Sequence, residues 1–399
     1  MNRASSTISA SLAASMRLQA VQAPVIPAVA ALIREQPGTI SLGQGIVHYA
    51  PPPEVIARIQ TCLANPRNHS YGEAQGLSAL KDAIVAKLAT ENGIEVRDLN
   101  RIMITAGSNM GFSYAVLAIA EPSDEFILPV PYYFNHEMAV TMAGCRSVLV
   151  PTDADYRLQL RLIEDAITAR TRAIVTVSPN NPTGSVYSQA ALKAVNGICR
   201  AHQLYHISDE AYEAFTWDNL RHFSPESLSA TDDQTISLFS FSKGYGLAGW
   251  RVGFMVLPNQ LIDAANKIQD TILICPPIAS QYAAVGALEA EPAYYRENIR
   301  AISEVRQLVL RQLAQLGGCI DPPRSEGAVY VFLRVHTNER DITLVERLIR
   351  EYGVAVIPGS AFGIQAGCYL RIAYGALQKK TVAEGIGRLV RGLKALVRG

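Results

Sequence analysis

Short apolar runs alternate along most of the chain with stretches in which apolar residues recur at helical spacing. The runs predict strands over residues 101–105, 126–130, 148–150, 173–177, 204–208 and 236–240. Helical spacing falls between them, most clearly over 77–90, 110–120 and 189–202. Strands that alternate with helices predict an α/β fold, with a mostly parallel sheet covered by helices on both faces.

The pattern changes near Tyr294, where a longer helix begins a separate α+β region. The elements predicted there are a helix over 299–316, a strand over 327–335, a helix over 344–352 and a strand over 369–373. We therefore predict a large domain over residues 51–293 and a small α+β domain over residues 294–399. The segment 18–50 is expected to join the small domain.

The first residues, 1–17, are rich in Ser and Ala and contain no acidic residue. This composition predicts a disordered tail and leaves a targeting segment open as the alternative.

Composition limits the classes of partner. With 49% hydrophobic and 18% charged residues, the 399-residue chain can bury a large core. A formal net charge of +1 offers no electrostatic basis for binding nucleic acid or an anionic membrane. The six cysteines are scattered without C-x-x-C spacing, which favours reduced thiols and a cytoplasmic location. No apolar run reaches the roughly 18 residues that span a bilayer.

Polar and aromatic residues follow five of the predicted strands directly. They are the groups 107–109, 132–133, 180–181, 209–212 and 240–243. Ligands of parallel sheets bind at the carboxyl ends of the strands, so we expect these groups to converge on one site.

One of these groups contains a lysine in unusual surroundings. Lys243 lies in the glycine-rich, nearly uncharged run 240–253, with Arg251 eight positions further on. Burial and a neighbouring cation lower the pKa of an amine toward the range in which it acts as a nucleophile. Asp209 and Tyr212, upstream, add a carboxylate and a phenol. The combination predicts a lysine that forms a Schiff base.

A metal site is not predicted from the two closely spaced histidines, His202 and His206. They are four residues apart, which would suit a metal on one helix. However, the first closes the predicted helix 189–202 and the second lies on the strand that follows.

Four motifs in order carry a resemblance to a known family. They are Asn-Asn-Pro-Thr-Gly at 180–184, Ser-Asp-Glu-Ala-Tyr at 208–212, Ser-x-Ser-Lys at 240–243 with Arg251, and Tyr-Leu-Arg at 369–371. The chain resembles the class I/II aminotransferases, pyridoxal 5'-phosphate (PLP) enzymes of fold type I. The resemblance implies a seven-stranded sheet in a large PLP-binding domain and a homodimer with shared active sites.

The resemblance also implies a role for each matching residue around the cofactor. Lys243 would bind PLP covalently and then move a proton, and Asp209 would pair with the ring nitrogen. Asn181 and Tyr212 would bind the phenolate oxygen, with a cis bond between Asn181 and Pro182. Those implied for the phosphate are Ser108, Asn109, Ser240 and Arg251, with Ser242 less closely matched.

Further residues match positions around the ring and the substrate. Tyr133 matches an aromatic residue that stacks on the ring, and Tyr71 matches a tyrosine that reaches the phosphate of the neighbouring subunit. Arg371 matches the arginine that binds the substrate carboxylate in a bidentate pair. Gly45 matches a loop glycine that lets the backbone approach the substrate.

The substrate is predicted from departures within the family. Residues 41–52, 131–135 and 267–270 are similar to those of plant aromatic aminotransferases, and His48, Tyr49 and Tyr133 could line an apolar pocket. Leu117 stands where several bacterial aspartate-specific members carry a lysine. We therefore predict transfer from aromatic amino acids and methionine to 2-oxo acids, by a ping-pong cycle. Broad aspartate or alanine transamination and a PLP-dependent C–S β-lyase activity remain the alternatives.

Overall fold

The central sheet has seven strands in a computed structural model that describes residues 15–228 and 234–397. The strands of all three sheets in these residues are, in chain order, β1 (Ile40–Ser41), β2 (Ile102–Thr105), β3 (Glu125–Val130), β4 (Arg146–Pro151), β5 (Thr171–Val177), β6 (Tyr205–Asp209), β7 (Thr235–Ser240), β8 (Gly253–Val256), β9 (Tyr330–Val335), β10 (Val354–Ala355), β11 (Ile357–Pro358) and β12 (Cys368–Ala373). The α-helices are α1 (Met16–Ala20), α2 (Val25–Glu35), α3 (Pro53–Ala64), α4 (Ser78–Lys87), α5 (Ser108–Ile119), α6 (Phe134–Met142), α7 (Leu160–Asp165), α8 (Gln189–Ala201), α9 (Ile262–Ile272), α10 (Ile278–Glu289), α11 (Pro292–Leu313), α12 (Asp341–Tyr352) and α13 (Lys379–Val397).

The strand order of the central sheet is β2-β8-β7-β6-β5-β3-β4. All neighbouring pairs are parallel except those of β8, which runs antiparallel to both β2 and β7. The α/β class and the six predicted strands are confirmed. The sequence patterns had missed β8, because its four residues lie in a glycine-rich run too short to show a period.

Side chains alternate between the two faces of this sheet, as the pleat of a strand requires. In β2, Met103 packs into the same apolar layer as Phe112 of α5, whereas Ile102 and Ile104 pack into the opposite layer with α4 and α10. Both layers are fully buried, so the sheet is covered on both faces. A ligand site is therefore expected at an edge of the sheet.

Helix α8 shows why the predicted helices form where they do. The Ser188 side chain accepts a hydrogen bond from the backbone N–H of Ala191 and so caps the first turn. Leu192, Val195 and Cys199 then recur on the buried face of the helix. The prediction of a helix over 189–202 is confirmed to within one residue.

A second, antiparallel sheet has the order β11-β12-β9 and is packed with α11, α12 and α13. Strand β1 pairs in parallel with β10, so residues near position 40 lie against the C-terminal region. This pairing supports the predicted assignment of residues 18–50 to the small domain, and the domain boundaries themselves remain predictions.

Two terminal elements differ from the sequence pattern. The long helix predicted over 299–316 begins seven residues earlier, at Pro292, a residue that favours the first helical turn. Of the predicted tail 1–17, residues 1–14 lie outside the described part of the chain, and Met16 and Arg17 belong to α1.

Across residues 15–228 and 234–397, no helix is both long enough and apolar enough to cross a bilayer. All six cysteines lie in this part of the chain and are free thiols, the state expected in a reducing compartment. The cytoplasmic location stays a prediction.

Candidate active site

The polar groups that follow the strands of the central sheet meet at one edge, as predicted. They surround a cavity of about 280 Å³. Its walls are formed by Ile46, Ser108, Asn109, Tyr133, Val177, Asn181, Asp209, Ala211, Tyr212, Ser240, Ser242, Lys243, Ala248 and Arg251. Ten of these residues are among those singled out from the sequence. A larger cavity of about 620 Å³ lies nearby, and of those ten only Ser240 lines it.

Lys243 has the environment of a reactive amine. Its Nζ donates a hydrogen bond to the Gly45 carbonyl oxygen at 2.6 Å. Burial, followed by the positive charges of Arg371 and Arg251, lowers the pKa of Lys243 to about 8, although Asp209 partly opposes this. The direction agrees with the prediction from sequence. The physical cause is that a charged amine loses hydration and is repelled by the two cations.

Asp209 ends strand β6 and is 4% exposed. One carboxylate oxygen accepts a hydrogen bond from the backbone N–H of Ala211 at 3.0 Å. The other lies 3.0 Å from Nε2 of His136, whose ring stacks on Phe112 with 3.9 Å between centroids. His136 was missed in the sequence, where it is simply one residue of a helical stretch. The packing of α6 against α5 brings it to Asp209.

An anion could be held where α5 begins. The helix starts at Ser108, and the N–H groups of a first helical turn have no partner within the helix. Arg251 lies beside it, within 3.5 Å of the Ser242 hydroxyl. Gly107 has a φ of +83°, and a Cβ at this position would lie 2.4 Å from Nη2 of Arg251. The glycine therefore allows the guanidinium to approach the helix start.

Arg371 reaches the same region from β12. It is 2% exposed, and it donates hydrogen bonds to Oδ1 of Asn181 at 3.0 Å and to the Gly43 carbonyl oxygen at 2.6 Å. Its Nε lacks a hydrogen-bond partner, and no acidic side chain pairs with the guanidinium anywhere in residues 15–228 and 234–397. The bond between Asn181 and Pro182 is cis, as predicted. A buried, uncompensated guanidinium is suited to a carboxylate ligand.

Tyr330, the first residue of β9, was also missed in the sequence. Its hydroxyl shares a hydrogen bond with that of Tyr212, and both side chains are buried. A Cβ on Gly45 would lie 1.8 Å from the Tyr330 hydroxyl, so Gly45 has to be a glycine for this arrangement. An apolar alternation that begins with a tyrosine gives no signal of such contacts.

Comparison with known proteins decides the family. The family model for aminotransferase class I and II matches residues 37–389. The chain belongs to this family. It is therefore a transaminase, and the family uses PLP.

Relatives of this aminotransferase include both aromatic and aspartate aminotransferases. The chain is 33% identical over 395 residues to the aromatic aminotransferase ISS1 of Arabidopsis thaliana, covering 96% of this chain and 97% of that protein. It is also 33% identical over 360 residues to an aspartate aminotransferase of Pyrococcus abyssi, covering 89% of this chain and 92% of that protein.

Solved structures also include both kinds of enzyme. The aromatic aminotransferase of Pyrococcus horikoshii OT3 matches with a TM-score of 0.84 and 33% identity, covering 92% of this chain and 99% of that one. The aspartate aminotransferase of Thermus thermophilus with maleate matches with a TM-score of 0.87 and 28% identity, covering 96% of this chain and 100% of that one. Fold type I is thus confirmed, whereas the preferred amino acid is left open.

Tyr71 lies outside the cavity of its own chain. Its side chain is 80% exposed, whereas most tyrosines of this aminotransferase are at least half-buried. Ile272 and Ile274 are also exposed large apolar residues, and the Gly72 N–H, next to Tyr71, contacts the Cys275 thiol at 3.4 Å.

Leu117 lies outside the cavity of its own chain. It lies nine residues into α5, about 13 Å along the helix from Ser108. Its side chain is 47% exposed and does not line the cavity. Within a single chain this side chain faces solvent, and the expectation that it disfavours aspartate stays a prediction.

Four other residues considered from the sequence lie outside the cavity and contact other protein groups: His48, Tyr49, His202 and His206. The Tyr49 hydroxyl donates to the carbonyl oxygens of Lys243 and Gly244 at 3.0 and 2.9 Å, and His48 contacts the Gly375 carbonyl oxygen. Neither residue lines the cavity. His206 is fully buried against Thr176, and burial lowers its pKa to about 3, whereas His202 lies at the surface beside Glu164.

Proposed function

We propose that this aminotransferase binds PLP in the 280 Å³ cavity and transfers the amino group of aromatic amino acids and methionine to a 2-oxo acid. The observation that carries the proposal is the meeting of a lysine of lowered pKa, a buried carboxylate and a cationic helix start in one cavity. Each is a different requirement of the cofactor, and no simpler ligand needs all three.

The donor set fits PLP group by group. Ser108, Asn109, Ser240 and Arg251, with Ser242, offer N–H groups, hydroxyls and a cation to the phosphate. Asp209 offers a carboxylate to the ring nitrogen. Asn181 and Tyr212 offer donors to the ring oxygen, and Tyr133 offers a ring face.

When bound, PLP supplies an electron sink for negative charge that develops at the substrate α-carbon. Lys243 moves the proton, because an amine with a pKa near 8 is partly uncharged near neutral pH and can accept one. The backbone of Lys243 is held by the Tyr49 hydroxyl, so its side chain extends from a fixed point.

Arg371 determines that the substrate carries a carboxylate. Its guanidinium is held in plane by Asn181 and Gly43, and no acidic side chain neutralises it in the described residues. A substrate carboxylate would supply the missing charge and accept two parallel hydrogen bonds.

The preference for aromatic and methionine side chains rests on the remaining walls. Ile46 and Tyr133 offer apolar surface. The cations that line the cavity within residues 15–228 and 234–397 are Lys243 and Arg251, and both have other proposed roles. The described cavity lining of a single chain therefore leaves no cation free for a second carboxylate.

Aspartate transamination is the second candidate, because aspartate aminotransferases are as similar to the chain as aromatic ones. A half-reaction screen separates the two. Purified PLP-loaded enzyme is mixed with each of twenty amino acids, and the conversion of bound PLP to the pyridoxamine form is followed by absorbance. Phenylalanine, tyrosine and methionine should react fastest. Fast aspartate with inert phenylalanine would leave the fold intact and sink the substrate proposal.

We also propose a homodimer in which Tyr71 reaches the phosphate of the neighbouring subunit. Its 80% exposure and the apolar residues nearby support this. Light scattering should give twice the 43.3 kDa chain mass. Hybrid dimers that combine a Tyr71→Ala subunit with a Lys243→Ala subunit should regain at most one working site per dimer. A monomer of full activity would contradict the proposal.

A further inference from the structure

We propose that Tyr330 is a positioning residue that orients the Tyr212 hydroxyl and holds the Arg371 guanidinium. The inference rests on the proposed function and deepens it. It joins the residue that would bind the cofactor oxygen to the residue that would bind the substrate carboxylate.

The backbone places Tyr330 between these two groups. Tyr330 pairs with Ala373 of β12, two residues from Arg371. Just before it, the Gly327 N–H donates to the Gly184 carbonyl oxygen at 2.7 Å, and the Ala328 N–H donates to that of Phe215 at 2.9 Å. Gly184 ends the motif that contains Asn181, and Phe215 lies three residues after Tyr212, so the segment before Tyr330 is bound close to both residues.

The hydroxyl of Tyr330 controls where Tyr212 directs its proton. The two hydroxyls share one hydrogen bond in a buried setting, with 5.4 Å between ring centroids. If Tyr330 donates, Tyr212 keeps its own proton for another acceptor. Tyr212 lines the cavity and Tyr330 does not, so that proton is directed into the cavity.

The charges around the pair favour this direction. Burial raises the pKa of both hydroxyls, but the adjacent Arg371 cation opposes the rise at Tyr330 more directly. The more acidic hydroxyl is the better donor. Lys243 also faces Tyr212, with Nζ 5.7 Å from the ring centroid.

The ring of Tyr330 has a separate task. The Arg371 guanidinium carbon lies 4.7 Å from the Tyr330 centroid and 5.0 Å from that of Phe362, so the cation contacts two aromatic rings. This contact needs only the ring, whereas the contact with Tyr212 needs the hydroxyl. Two substitutions can therefore separate the roles.

The test compares Tyr330→Phe and Tyr330→Leu in the full-length, PLP-loaded enzyme. In Tyr330→Phe, the pKa read from the pH titration of PLP absorbance should rise by about one unit. The reason is that the Tyr212 hydroxyl, a donor to the ionised ring oxygen, is no longer held in its best orientation. KM for phenylalanine should stay within about twofold, because the ring is retained. Tyr330→Leu should show the same rise and also raise KM about tenfold.

A binding measurement and a control variant test whether these changes come from the contacts of Tyr330. Calorimetry with 3-phenylpropanoate, a carboxylate without an amino group, should show weaker binding to Tyr330→Leu and unchanged binding to Tyr330→Phe. Tyr295→Phe is the matched control. It removes a half-buried hydroxyl in α11 that donates to the Ala287 carbonyl oxygen, outside the cavity, and should move none of these readouts.

An absorbance pKa that is unchanged in Tyr330→Phe would overturn the orienting role. Unchanged KM and 3-phenylpropanoate affinity in Tyr330→Leu would overturn the role at Arg371. If Tyr330→Leu does not fold, the Phe variant alone decides the orienting role. These outcomes are distinct from failure of the proposed function, which would be seen as absence of amino transfer in the wild-type enzyme.

Discussion

The site has two sides that are built differently. The cofactor side comes from short motifs at the carboxyl ends of β2, β5, β6 and β7, each of which holds its residues by local geometry. The carboxylate side is assembled from distant segments. Arg371 meets Asn181 across 190 positions and Gly43 across 328. A local motif can be recognised in a sequence. A contact between distant segments can be predicted only where one of its two residues lies in a recognisable motif.

The two cations of the site, Lys243 and Arg371, differ in their chemistry in the same way. Lys243 has one carbonyl partner and a pKa lowered to about 8, so it can lose its proton. Arg371 has two in-plane acceptors and two aromatic faces, and guanidinium stays charged in proteins. These surroundings suit the first cation to the proposed proton transfer and the second to the proposed binding of a carboxylate.

The largest expected effect is on the cofactor side. Lys243→Ala should abolish the absorbance of covalently bound PLP and lower kcat by about 10⁴-fold, the upper range for loss of a general base. Exposed Lys267→Ala is the control and should match the wild-type enzyme. Persistence of the covalent absorbance in Lys243→Ala would refute the assignment of the lysine.

On the carboxylate side, Arg371→Lys should lower kcat/KM by about 100-fold for every amino acid, mainly through KM. A lysine keeps the charge but cannot form the planar pair of hydrogen bonds. Arg334→Lys, at a half-exposed position of the same small sheet, is the control. If KM is unchanged in Arg371→Lys, the residue does not bind substrate.

The lowered pKa of Lys243 predicts a pH-dependent stability in the protein freed of PLP. Below about pH 8 the folded protein carries the cost of a buried charge. Between pH 8 and 10.5 the folded amine is neutral while the unfolded amine is still protonated, so stability rises with pH. Lys243→Met should therefore be more stable by about 3 kcal/mol at pH 7, and the difference should shrink toward pH 10. Paired denaturant titrations measure it, and a difference independent of pH would contradict the lowered pKa.

The smallest effect is expected where the two sides touch. Gly45→Ala would collide with the Tyr330 hydroxyl and should lower kcat/KM about tenfold. Adding Tyr330→Phe should recover part of the loss, because the nearest clashing atom is removed. Gly197→Ala is the control, since a Cβ there meets nothing within 4 Å. Equal activity of the Gly45→Ala enzyme and the wild type would remove Gly45 from the site.

Much of the fold followed from periodicity. The predicted strands of the central sheet and the helix over 189–202 are observed within a few residues, because a buried strand and an amphipathic helix each impose a local apolar pattern. Strand β8 was missed because four residues in a glycine-rich run carry no such pattern. The start of α11 was placed late because its first turns are partly exposed.

The sequence by itself determined which residues meet around Lys243, since Asp209, Tyr212 and Arg251 lie in short motifs that could be recognised along the chain. Only the tertiary structure brought His136 to Asp209 and Tyr330 to Tyr212, and only it turned Leu117 toward solvent. The reason is physical. Order within a motif is set by neighbouring φ and ψ angles, whereas a contact such as that of Tyr330 with Arg371 exists only after separate elements have packed together.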